Sequence, residues 1–110
     1  MAKKHEFKVT SKIFIDDKLV SSSHIVTYAN QKSTLTIANK RGDQALKLSL
    51  TARNVETDKI KINYDIQYIN GNEKIHTQPE MLLVLNQEGA IRIAYDFSHS
   101  YVMKVVVERQ

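Results

Sequence analysis

Apolar and polar residues alternate with a period of two along most of this chain. In "FKVTSKIFI" the residues Phe7, Val9, Ser11, Ile13 and Ile15 fall on one side, and Lys8, Thr10, Lys12 and Phe14 on the other. That is the pattern of a half-buried strand. "ALKLSLTARNV" repeats it, setting Leu46, Leu48, Leu50 and Ala52 against Lys47, Ser49, Thr51 and Arg53. The longest run is "KIKINYDIQYIN", where Ile60, Ile62, Tyr64, Ile66 and Tyr68 share a face opposite Lys61, Asn63, Asp65 and Gln67. Further strands are expected over "HIVTYA", "STLTIAN", a return strand from about Glu73 to Thr77, "MLLVL", "AIRIAYDF" and "YVMKVVVE". In "AIRIAYDF" the residues Ile91, Ile93, Tyr95 and Phe97 lie together. No segment carries the spacing of an amphipathic helix of three turns.

The breaks between these runs are made of turn residues. Asp16-Asp17-Lys18, Asn30-Gln31-Lys32, Gly42-Asp43, Asn70-Gly71-Asn72 and Asn86-Gln87-Glu88-Gly89 all contain Asp, Asn or Gly, which accept the positive φ of tight reversals. Ser21 to Ser23 are read with them, as a polar connection and crossover before "HIVTYA". Pro79 has no amide hydrogen, which confines it to an edge or to a kink where the chain switches sheets. Eight or nine strands joined this way predict an all-β single domain over residues 1–110: an antiparallel β-sandwich with an immunoglobulin-like Greek key, a closed barrel being the alternative. Residues 1–5 are read as a disordered or vector-derived start.

Composition narrows the chemistry. The 110 residues are 42% hydrophobic and 25% charged, ordinary values that exclude a disordered or collagen-like chain. There is no cysteine, which removes disulfides, thiolate metal sites and cysteine nucleophiles together. A formal net charge of +4 favours acidic partners. The candidate anion or partner contacts are Lys8, Lys12, Lys40, Arg41, Lys59 and Lys61, with Phe14 on the same strand face as the first two.

Catalytic and cofactor motifs are not found. Ser23 and His24 are adjacent, so in an extended chain their side chains point to opposite faces. No Gly-x-Ser-x-Gly elbow surrounds the serines. His5, His24, His76 and His99 lack the paired spacing that aims two imidazoles at one ion. Gly42, Gly71 and Gly89 lie in separate turns and form no phosphate-binding loop. No catalytic residue, cofactor or metal is therefore assigned. Were the chain a hydrolase with a site assembled from turns, His76, Glu88, Asp96 and His99 would be its polar cluster. Nucleic acid is disfavoured because most aromatics fall on apolar faces. A protein or glycan partner is expected instead, with the chain a monomer or a weak dimer through an edge strand.

Four stretches carry a resemblance: Asp16-Asp17-Lys18-Leu19-Val20-Ser21-Ser22, Asn30-Gln31-Lys32-Ser33-Thr34-Leu35, Gln87-Glu88-Gly89, and Val105 to Val107. Their turns and spacing resemble small exported all-β modules of Gram-negative bacteria, found alone, attached to membrane-bound peptidases, or as type II secretion substrates of intracellular pathogens such as Legionella. Ser23-His24 and Lys32-Ser33 depart from the proline and small apolar residue usual at those points. The resemblance implies a periplasmic or secreted location, with a signal peptide removed, and a role as a binding or accessory module or secreted effector. It brings no catalytic residue with it.

Overall fold

The structure, a computed structural model, describes residues 6–38, 40–94 and 100–110. These form nine strands: β1 (Glu6–Ile15), β2 (Lys18–Tyr28), β3 (Lys32–Ala38), β4 (Gln44–Glu56), β5 (Lys59–Asn70), β6 (Glu73–Thr77), β7 (Glu80–Val84), β8 (Gly89–Ala94) and β9 (Ser100–Arg109). No helix among the described residues is long and apolar enough to cross a membrane.

Two antiparallel sheets pack face to face. Sheet I has the order β2-β1-β9-β8, and sheet II the order β3-β4-β5-β6, with β7 also paired to β5. The expected sandwich is present, and it is not a closed barrel: β2 and β3 end their respective sheets without pairing to each other, as do β7 and β8. Hairpins join β1 to β2, β3 through β6 in succession, and β8 to β9 within a sheet, while the β2–β3 and β7–β8 connections pass from one sheet to the other. Gln78 and Pro79 separate β6 from β7, so both short strands run along one edge of β5. The Pro79 carbonyl accepts a hydrogen bond from the Tyr64 amide at 2.9 Å across that break.

The period-two pattern determines which residues meet between the sheets. Phe7, Val9 and Ile13 of β1 and Met103, Val105 and Val107 of β9 are all at most 1% exposed, as are Leu48, Leu50, Ala52, Ile60 and Ile62 of sheet II. Gly89 faces inward from β8. A Cβ at this position would overlap Leu83 Cδ2, so a side chain here would require the Leu83 tip on β7 to shift.

The β1–β2 hairpin turns through Asp16 and Asp17, both at positive φ (50° and 66°), the two-residue reversal whose twist matches the flanking strands. Two hydrogen bonds with Ser100 hold it: the Asp16 amide donates to the Ser100 carbonyl at 3.0 Å, and the Ser100 amide donates to the side-chain Oδ1 of Asp16 at 3.1 Å.

Beyond that turn the sequence reading needs correction. Ser21, Ser22 and Ser23 are not a crossover but lie inside β2, which runs unbroken to Tyr28. Ser21 and Ser23 face inward beside Ile13 and Ser11 of β1, and Ser22 faces out. Polar residues at inward positions disguised the strand, since only Ile25 among its early inward positions is apolar. The Ser21 and Ser23 hydroxyls are buried and make no hydrogen bond in the structure. Their desolvation is uncompensated, so Ser21→Ala or Ser23→Ala should raise stability or leave it unchanged, by up to about 1 kcal/mol each. Urea melts of the two variants would check this, and a loss above about 1 kcal/mol would show that the hydroxyls have partners.

Candidate anion-binding face

The outward residues of sheet I make the most distinctive surface of the fold. From β1 come Lys8, Thr10, Lys12 and Phe14, and from β9 Val102, Lys104, Val106 and Glu108. The β1–β9 register sets Lys12 directly opposite Lys104. Like charges at opposed positions destabilise a sheet, so this pair is a cost that packing does not require. The flanking rows bring no relief. On one side lie His24, Thr10 and Val106, and on the other Leu19, Phe14, Val102 and Arg92, with no carboxylate in either. Lys8 differs, because its β9 register partner is Glu108.

A groove of about 450 Å³ runs beside the lysine pair, floored by Phe14, Val102, Ala90 and Ile91 and flanked by Lys104, Arg92 and the Asp17 carboxylate. The Lys104 ammonium stands 5.4 Å from the centroid of the Phe14 ring, a cation–π contact worth about 0.5–1 kcal/mol at an exposed site. Arg92 reaches Asp17 at 3.5 Å with both side chains mostly exposed, an ion pair of small energetic consequence. The Thr10 hydroxyl and His24 Nδ1 are hydrogen-bonded at 3.0 Å, which fixes the imidazole at the edge of the face.

The six basic residues expected from sequence do not form one site. Lys8 and Lys12 lie on this face, whereas Lys59 and Lys61 belong to sheet II, where cross-strand register gives them acidic neighbours. Lys59 pairs with Glu56 at 3.3 Å, and Lys61 pairs with Glu80. Lys40 and Arg41 sit exposed in the β3–β4 turn. The structure adds Lys104 and Arg92, which sequence reasoning missed. Lys104 was visible as the lone cation in "YVMKVVVE", but its alignment with Lys12 depends on pairing between the two ends of the chain.

The proposed polar cluster of an enzyme is not assembled either. His76 is on the outer face of sheet II, and its Nε2–H donates to Asp65 Oδ1 at 2.9 Å, with Asp65 Oδ2 accepting from Gln78 Nε2 at 3.2 Å. Glu88 follows β7, whose end pairs with Lys59, while His76 pairs with Gln67. Eight residues of β5 separate those registers, on the order of 26 Å. Asp96 and His99, like His5, Tyr95 and Phe97, lie outside the described residues. Among the described residues no hydroxyl is hydrogen-bonded to His76. Ser49, the strand partner of Asp65, shares its hydroxyl with Thr34 at 3.0 Å. Nor do three His, Asp or Glu side chains converge on a metal position among the described residues.

Asp65 nevertheless has a measurable signature. The Gln78 amide first, and then the His76 imidazole and the Lys32 charge, hold its carboxyl below the usual aspartate value. A carboxylate whose folded value is depressed stabilises the fold above its unfolded value, near pH 4, and loses that contribution as pH falls through the lower folded value. Carbon-detected NMR titration should place the Asp65 midpoint below that of a model peptide. Gln78→Ala should move it up. A midpoint unchanged by that substitution would contradict the assignment.

Compared with known proteins, the chain matches no protein-family model, no curated protein and no solved structure.

Proposed function

We propose that this chain is a noncatalytic binding module that takes an acidic glycan on the outer face of sheet I. The observation that carries the reading is the Lys12–Lys104 pair, set side by side with no carboxylate in the adjoining rows. Two ammonium groups on neighbouring strands match a carboxylate or sulfate, and a bound anion relieves their mutual repulsion. The Phe14–Val102 floor of the adjacent groove suits the apolar face of a sugar ring. Nucleic acid fits less well, since sequence-tolerant binding of a strand uses successive aromatic platforms along a basic track, and this groove has one ring. The exported location and the effector or accessory role implied by the resemblance to secreted modules belong to the same proposal, because acidic glycans are abundant on cell envelopes and host surfaces.

Calorimetric titration with sulfated and uronate oligosaccharides, and with a neutral glucan as control, tests the reading. The acidic ligands should bind with an affinity that falls as salt rises, and the neutral glucan should not bind. Lys12→Gln together with Lys104→Gln should weaken binding on the order of tenfold or more, while Lys59→Gln with Lys61→Gln on the opposite face should leave it nearly unchanged. Salt-independent binding, or equal losses from both faces, would refute the proposal.

A further inference from the structure

A cavity of about 640 Å³ opens at one end of the sandwich between the two sheets. Its floor is Ile15, Leu46 and Tyr68, each at most 9% exposed. A local irregularity shapes it. The β1–β2 register slips between Ile13 and Phe14, leaving Val20 as an extra residue between Leu19 and Ser21, and such a bulge bends its strand. On the facing sheet the strand partners Ile37 and Leu46, on the inward face, line it.

Ile37 stands at the mouth and is 43% exposed, and Leu19, outward beside Phe14 and 54% exposed, borders the rim. Polar groups of mixed sign form the rim: the Asp16 and Glu73 carboxylates, the Lys18 ammonium, and the Gln44 and Asn70 amides, the last two hydrogen-bonded to each other at 3.2 Å.

We propose that this cavity binds a single-chain amphiphile, with its alkyl chain between the sheets and an uncharged or zwitterionic head at the rim. The volume lies within the range of small-molecule sites, about 300–1,000 Å³, and the Ile15, Leu46 and Tyr68 floor offers apolar surface to one chain. A peptide is a poorer occupant. Its backbone N–H and C=O groups would need partners that the side chains of Ile15, Val20 and Leu46 do not offer. An anionic head would meet two carboxylates and one ammonium, whereas a zwitterion finds both signs. The site uses neither Lys12 nor Lys104, so it stands or falls separately from the glycan reading.

The probe is lysophosphatidylcholine, kept below its critical micelle concentration and titrated into the full chain, with methyl NMR as the readout. Saturable one-to-one shifts at Ile15, Leu19, Ile37 and Leu46 are expected. Val20→Phe, which enlarges a partly buried side chain lining the cavity, should weaken binding on the order of tenfold. The exposed variant Ile37→Lys should do the same with the melting temperature preserved, which guards against a folding defect in the first variant. A lysophospholipid with an anionic head should bind more weakly. No saturable shift, equal affinity in both variants, or shifts confined to Val102 and Ala90 on the basic face would overturn the proposal.

Discussion

Leu48→Ala is expected to cost 2–5 kcal/mol of stability, the range for deleting a large apolar side chain from a core that relaxes only in part. Leu48 is 0% exposed, and lies between Leu35 on β3 and Ile66 on β5 as their strand partner. It is held from both sides within its own sheet and covered by the other, so little can move into the space it leaves. Leu82→Ala supplies the contrast. Leu82 faces outward from β7 and is 63% exposed, and its truncation should stay within about 0.5 kcal/mol. Urea denaturation of both variants, with an unchanged slope, checks the pair. A Leu48→Ala cost as small as that of Leu82→Ala would mean that the two sheets do not pack as described.

Tyr64→Phe and Ser11→Ala should each cost about 1–3 kcal/mol, and the double variant much less than their sum. The Ser11 hydroxyl and the Tyr64 phenol meet at 3.0 Å in the middle of the core, joining the two sheets, and the residues are 0% and 3% exposed. Burial pushes the phenol far above its ordinary value, and the bond to Ser11 offsets part of that shift. Either single substitution leaves one buried polar group without its partner, and removing both hydroxyls leaves none. Tyr64→Phe carries the further consequence that Ser11 joins Ser21 and Ser23, its neighbours on the inner face, as a third unsatisfied hydroxyl. A double-mutant cycle measures the coupling directly. Strict additivity would show that the hydrogen bond contributes nothing.

Much of this architecture was legible locally. β5 reads correctly from Ile60 to Tyr68 because every inward position is apolar and every outward one polar, and the reversals at Asp16-Asp17 and Gly71 follow from residues that tolerate positive φ. β2 was misread because Ser21 and Ser23 put hydroxyls where the period demands apolar side chains. The strand order was also hidden, since the β1–β9 pairing joins residues separated by most of the chain, and no turn residue announces it.

The candidate site divides along the same line. Lys8, Lys12 and Phe14 share one strand and one face, and alternation alone placed them together. The opposition of Lys104 to Lys12, and the neutralising of Lys59 and Lys61 by Glu56 and Glu80, are properties of register between strands. A list of basic residues along the chain does not reveal which of them retain an uncompensated charge.

The most direct test of the basic face is a two-dimensional NMR titration of the full chain with a sulfated oligosaccharide at low salt. Amide shifts confined to Lys12, Phe14, Val102 and Lys104, reversed by added salt, are the predicted result. Shifts centred on Lys61, Asp65 and His76 of the opposite sheet, or none at all, would contradict the assignment of sheet I as the binding face.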